Sequence, residues 1–190
     1  MVRQLSALLA LLTLASCQSD KGDSPIGTGE KFPVSVQLGA YTTASFTDFI
    51  IPSAHAAVSD LRFCFKRMRF KKDITDIDDP LIDENVDLDL GEINISAVGT
   101  SLGVVNVPAD TYYRIEFDLE PSCTSKSVNL SNDFGTYSST EGLKIKFDGV
   151  FVVDGSESLQ LGIQDILNAA NAYNGTGSLE DALEAVSGNL

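Results

Sequence analysis

The chain has 190 residues, and its 27 acidic against 13 basic side chains give a formal net charge of −14. That balance repels phosphate and excludes nucleic acid as a partner unless one face were strongly basic. Cys64, Cys123 and the single histidine His55 do not make the four-ligand set of a structural zinc site.

Leu5 to Leu14 is almost wholly apolar, with Arg3 before it and small residues at its end, the layout of a secretory signal. The run is too short to span a bilayer, which takes about 20 residues. Leu14-Ala15-Ser16-Cys17 resembles the lipobox of bacterial lipoproteins. The resemblance implies residues 1–16 as signal peptide, cleavage before Cys17 and lipidation at Cys17, whose thiol carries the lipid while small neighbours admit the peptidase. The plainer alternative is an ordinary signal peptide cut near a cysteine. Each buried methylene contributes about 0.8 kcal/mol, and one acyl chain alone holds only marginally, so a multiply acylated chain stays tethered. Gln18 stands where an aspartate would resemble an inner-membrane retention signal. This predicts a lipid-anchored protein of the bacterial outer membrane, with the periplasmic or surface face left open.

Removing residues 1–16 takes away Arg3 and no acid, so a mature chain is more acidic still. A chain of that length hides roughly 70% of its unfolded surface, enough for one domain. Residues 17–31 are polar, with Pro25, Gly27 and Gly29, and read as a flexible tether. From residue 32 onward the period is two. Phe32, Val34, Val36 and Leu38 share a face, as do Leu61, Phe63 and Phe65. Met68 and Phe70 continue on the opposite parity, which predicts a β-bulge at Lys66-Arg67. Thr42 to Ile51 is a less regular candidate strand, closed by Pro52. Val86, Leu88 and Leu90 make a strand that Ile93, Ile95 and Val98 extend past Gly91. Tyr113, Ile115, Phe117 and Leu119 alternate with charged residues, and Leu143, Ile145, Phe147, Phe151 and Val153 share a face across Gly149. Glycine at that point predicts a bend or a close backbone approach. Leu159, Leu161 and Ile163 form the last strand.

Helical spacing appears only at the end. Ile166, Leu167, Ala170 and Tyr173 lie within 165–173, and Leu179, Ala182, Leu183 and Val186 follow Ser178, with Asp181 at the capping-box position and Gly188 as a stop. Many short strands with Gly, Pro and Asn between them predict an all-β fold, an antiparallel β-sandwich over 32–165, with one or two short helices in 166–190. Cys64 and Cys123, an even pair in an exported chain, suggest a disulfide. Two buried thiols, or a reactive Cys64, are the alternatives.

Val107-Pro108-Ala109-Asp110-Thr111-Tyr112 resembles the "pro-ala-gly-thr-tyr" turn of prealbumin-like (transthyretin-like) sandwiches. With the flanking strand order, residues 32–165 resemble a family of bacterial surface lipoproteins catalogued as a domain of unknown function. Asp110 replaces the usual glycine, and aspartate tolerates left-handed backbone angles. The resemblance implies an extracytoplasmic sandwich and assigns no catalytic residue.

Two stretches could carry chemistry. Arg62, Lys66, Arg67, Arg69, Lys71 and Lys72 hold half of the basic residues left after residue 16. They would form either a stripe for an anionic glycan or lipid headgroup, or ladder pairs, Arg67 with Asp87 and Arg69 with Asp89. The ladder reading is the weightier, because charge runs are weak evidence for a site. Asp73, Asp76, Asp78, Asp79, Asp83 and Glu84 could wrap calcium, with Asp76, Asp78, Asp79, Asp83 and Glu84 as the candidate ligands. Pro80 and the lack of a glycine at the turn depart from an EF-hand, and a solvated acidic loop is the simpler reading. His55, near Ser53, has no triad around it. The sequence thus points to a non-enzymatic binding or structural module that meets an envelope protein or glycan, without cofactor. A calcium-dependent adhesin or glycan-binding domain is the alternative.

Overall fold

The computed structural model describes residues 29–39, 58–75, 77, 83–96 and 98–190, and at 87–89 the backbone alone. The candidate strand 42–51, His55 and Ser53 lie outside these residues, as does Cys17.

Among the described residues the chain is an all-β sandwich with two short helices. Its strands are β1 (Lys31–Leu38), β2 (Asp60–Lys71), β3 (Glu84–Asn94), β4 (Thr100–Pro108), β5 (Asp110–Leu119), β6 (Val128–Asn132), β7 (Gly135–Ser139), β8 (Leu143–Val153), β9 (Glu157–Leu161) and β10 (Ser187–Asn189). The helices are α1 (Gln164–Ala172) and α2 (Leu179–Glu184). One sheet has the order β4-β1-β9, with β9 parallel to β1; the other seven strands form the larger sheet.

The larger sheet is built around β2. Arg62 and Phe63 have ladder partners in both β3 and β6, while Phe65, Arg67 and Met68 have partners in both β3 and β5. Since a strand has two edges, β3 takes one, and β6 and β5 share the other end to end. β7 and β8 repeat this arrangement one position further out. The hairpin that follows the β4–β5 corner is therefore a long one, whose two strands both break at the same level, at 120–127 and 140–142.

The core lies between the sheets. Val34, Val36 and Leu38 of β1, Val105 and Val107 of β4, and Leu159 and Leu161 of β9 meet Phe63, Phe65, Met68 and Phe70 of β2 and Ile115, Phe117, Ile145 and Phe147. Rings there pack edge to face, Phe117 on Phe65 at 5.1 Å and on Phe147 at 5.9 Å between centroids. Ile166, Leu167, Ala170, Leu179 and Leu183 of the helices belong to the same cluster, so the C-terminal segment closes this core. α1 is held to β6 by Asn132, whose amide donates to the carbonyls of Ala170 at 2.9 Å and Tyr173 at 2.8 Å. Ser178 caps α2, its hydroxyl accepting from the Asp181 N–H at 3.0 Å.

Several expectations hold in detail. The register of β2 against both neighbours shifts between Phe65 and Arg67, the bulge that the change of parity predicts. At Gly149 a side chain would meet Leu190, its Cβ coming within 2.7 Å of the Leu190 Cβ, a close approach that only glycine allows. Others fail. Val98 is 87% exposed and extends no strand. Tyr113 points outward and Tyr112 is the buried ring, because the β5–β8 register shifts between Tyr112 and Arg114. Gly188 stops no helix; it sits in β10, where a Cβ would run into the Gly162 carbonyl oxygen and the Phe147 ring.

Candidate functional surface

The outward face of the larger sheet carries the charges. Alternation along β2, β5 and β8 turns Arg67, Arg69 and Lys71, then Arg114, Glu116 and Asp118, then Lys144, Lys146 and Asp148 away from the apolar core. Glu116 is fully buried at their centre. Around its carboxylate stand Arg114 at 3.6 Å, Arg69 at 3.7 Å, and Lys71 and Lys144 at 3.8 Å. Arg69 also donates to Asp118 at 2.5 Å and to Asn85 at 3.0 Å, and Arg114 to Asp148 at 2.6 Å. Lys71, likewise fully buried, donates to the carbonyls of Thr75 at 2.7 Å and Ile77 at 2.8 Å. It thereby draws the start of the β2–β3 loop over this face.

The basic run is thus committed within the fold. Arg62 pairs with Asp60 at 3.0 Å, Arg67 with Asp118 at 3.7 Å and Lys72 with Asp110 at 2.5 Å. An external anion would have to displace an internal carboxylate to reach these cations. The ladder does place Arg67 opposite Asp87, but Arg69 stands opposite Asn85, not Asp89. The bulge at Lys66 moves the register, and the acids that Arg69 meets come from β5. Glu116 and Lys144 escaped the sequence reading as partners, although charged residues alternate with apolar ones along both strands; what was missing was the β2–β5–β8 order.

Of the candidate calcium ligands, Asp76, Asp78 and Asp79 lie outside the described residues. Asp83 is buried 3.9 Å from Lys71 Nζ, and Glu84 pairs with Lys31 at 2.6 Å. These two carboxylates meet different cations. Cys64 and Cys123 are joined, with their Cα atoms 5.9 Å apart.

The corner from β4 to β5 passes from one sheet to the other in a single residue, Ala109, whose N–H donates to the Glu30 carbonyl at 2.9 Å. The Tyr112 hydroxyl donates back to the Pro108 carbonyl at 3.0 Å. Burial, with the charges of Asp110 and Glu84 behind it, raises the Tyr112 phenol well above its ordinary pKa. Asp110 has no positive φ, so left-handed tolerance is not what the position uses. Its carboxylate accepts from the Thr111 N–H at 2.8 Å and pairs with Lys72. Burial pulls the Asp110 pKa up, but these bonds outweigh it and the net shift is down.

Where the long hairpin breaks, an open cleft of about 470 Å³ is lined by Asp118, Glu120, Leu143, Lys144, Lys146 and Glu184. Glu184 of α2 accepts from the Lys144 N–H at 2.6 Å and fixes that wall. No helix among the described residues is long and apolar enough to cross a membrane. Compared with protein-family models, curated proteins and solved structures, the chain has no significant match.

Proposed function

We propose that this chain is a lipid-anchored protein of the bacterial outer membrane, acting as a non-enzymatic binding or structural module at the cell surface or in the periplasm. The carrying observation is Cys17 at the end of a lipobox-like run, fourteen residues before the first strand of a sandwich whose two cysteines form a disulfide. A disulfide persists in oxidising compartments outside the cytoplasm, which supports export. The charged face also supports a module of this kind, because its titratable groups are held against one another and serve the sheet. Kinship with the prealbumin-like surface lipoproteins belongs to the same proposal; the Pro108–Asp110 corner between the two sheets and the Tyr112 bond across it speak for it.

Mass spectrometry of the mature protein from its native host tests the anchor. A chain that begins at Cys17 and carries the mass of acyl groups is the expected result. An unmodified Cys17, or a chain starting elsewhere, overturns it.

A further inference from the structure

The tether enters the fold at one end of the sandwich. A side chain at Gly29 would meet Pro108, and the Glu30 carbonyl accepts from the Ala109 N–H at the β4–β5 corner. Several elements meet at that end. β5 begins there with Asp110, opposite Val153 of β8, and Lys72 reaches Asp110 from the loop after β2. Five large apolar side chains gather around this point. Tyr113, Val150 and Val152 face outward on the ends of β5 and β8, and Ile74 and Ile77 lie in the loop that Lys71 holds over the same face. Their exposures run from 43% for Tyr113 to 75% for Ile77. Beyond them along the strands the same face turns to the ion pairs around Glu116. Exposed apolar groups that gather in one place mark an interaction surface.

The tether decides what that surface meets. Cys17 to Gly29 spans twelve residues, at most about 40 Å when extended. A lipid on Cys17 therefore keeps this end near the bilayer at high effective concentration. We infer that the tether-proximal end rests on the bilayer, with Ile74, Ile77, Tyr113, Val150 and Val152 entering the interfacial region of zwitterionic lipid. This rests on the lipid-anchor reading and adds an orientation to it. Charge selects the lipid class. Asp73 stands beside the patch, and Lys31 and Lys72 are occupied by Glu84 and Asp110, so anionic headgroups gain nothing here.

The chain has no tryptophan, so a single one introduced at a chosen site reports its own surroundings. Full-length lipidated protein carrying Val150→Trp, Ile77→Trp or Val98→Trp would be reconstituted into phosphatidylcholine vesicles. Val98 follows β3, whose Asn94 pairs with Arg62 at the far end of β2, and β2 is about 36 Å long at ~3.3 Å per residue. Emission from positions 150 and 77 should shift to the blue on reconstitution and be quenched severalfold more by lipids brominated on the acyl chain than emission from 98. Replacing a third of the lipid with phosphatidylglycerol should weaken that quenching. Protein that floats with the vesicles yet shows equal quenching at all three positions overturns the docking and leaves the anchor standing. Quenching that appears only with phosphatidylglycerol also overturns it, in favour of charge. Protein that does not float and has an unmodified Cys17 removes the anchor, and the docking with it.

Discussion

The Cys64–Cys123 bond fastens the loop between β5 and β6 to the point on β2 where two collinear strands meet. Cys64 N–H donates to the Ser127 carbonyl at 2.8 Å, and its own carbonyl accepts from Glu120 N–H at 3.2 Å. The chain leaves β2 after Glu120, makes an excursion that carries Cys123, and returns at Ser127. Ser125, at φ 61°, is the one non-glycine residue with positive φ among those described. The disulfide thus closes a break in a strand as well as a loop of the chain.

Replacing both cysteines by alanine should therefore cost about 4 kcal/mol on the chain-entropy account, for a separation of 59 residues. A fall in melting temperature of roughly 10 °C follows for a chain of this size. Calorimetry of the double variant, and of the wild type under reductant, measures it; two unchanged transitions would show that the excursion is held by its backbone bonds alone.

At the other end of the chain, Gly188→Ala should cost about 1 to 3 kcal/mol, because a methyl has no room between the Gly162 oxygen and the Phe147 ring. The expected loss falls on the short β10 pairing with β8, seen as faster amide exchange at Asp148, whose backbone faces β10, together with a lower urea midpoint. A neutral substitution would mean that β10 is not seated there.

The contrast between Gly149 and Gly188 shows what the sequence made legible. Gly149 interrupts a run of apolar alternation, so its close approach could be read from its neighbours. Gly188 follows a helical pattern and looks like a stop, because its ladder partner Phe147 lies 41 residues earlier in the chain. The bulge at Lys66 was readable as a change of parity inside one strand. β6 and β7 were not, since Asn, Ser and Thr fill most of their positions and Val128 and Leu130 are their only buried apolar residues. Register lay beyond the sequence for the same reason: Arg69 finds Asp118 and Glu116 only once β5 is known to lie beside β2.

Tyr112 ties the corner by one hydrogen bond, and its raised pKa has a fixed sign. The unfolded phenol titrates near 10, and the folded one higher. The neutral ring's contribution is therefore complete below about pH 10 and is lost as pH rises through the folded value. Stability should be level around neutrality and fall above about pH 10, and Tyr112→Phe should flatten that alkaline limb. The substitution should also cost about 1 kcal/mol at neutral pH, because it strands the Pro108 carbonyl. Urea unfolding at pH 7 and at pH 10.5 tests both effects.

Asp110→Gly would restore the residue usual in the turn it resembles. Since Asp110 is in strand geometry and pairs with Lys72, the change should destabilise by up to about 1 kcal/mol, reflecting backbone entropy and a half-exposed ion pair. The acid limb carries the opposite sign to Tyr112. With a folded pKa below the ordinary value, the carboxylate's contribution is complete above about pH 4 and is lost as pH falls through the folded value. Thermal melts at pH 7 and pH 3 should differ less for the variant than for the wild type; a gain in stability would mean that the position wants left-handed freedom after all.

Glu116→Gln should be the most damaging single change on the charged face. The side chain keeps its size, but Arg69, Lys71, Arg114 and Lys144 lose the fully buried negative charge at their centre. Breaking a buried pair from one side costs about 3 to 5 kcal/mol, because the charges left behind are uncompensated. Lys71→Met in the same molecule removes the most buried of these cations and should recover part of the loss. The remainder reflects the Thr75 and Ile77 carbonyls that Lys71 no longer reaches. A double-mutant cycle by urea denaturation isolates the coupling between the two residues. A coupling near zero would mean that the network is screened by water and that the sheet does not depend on it.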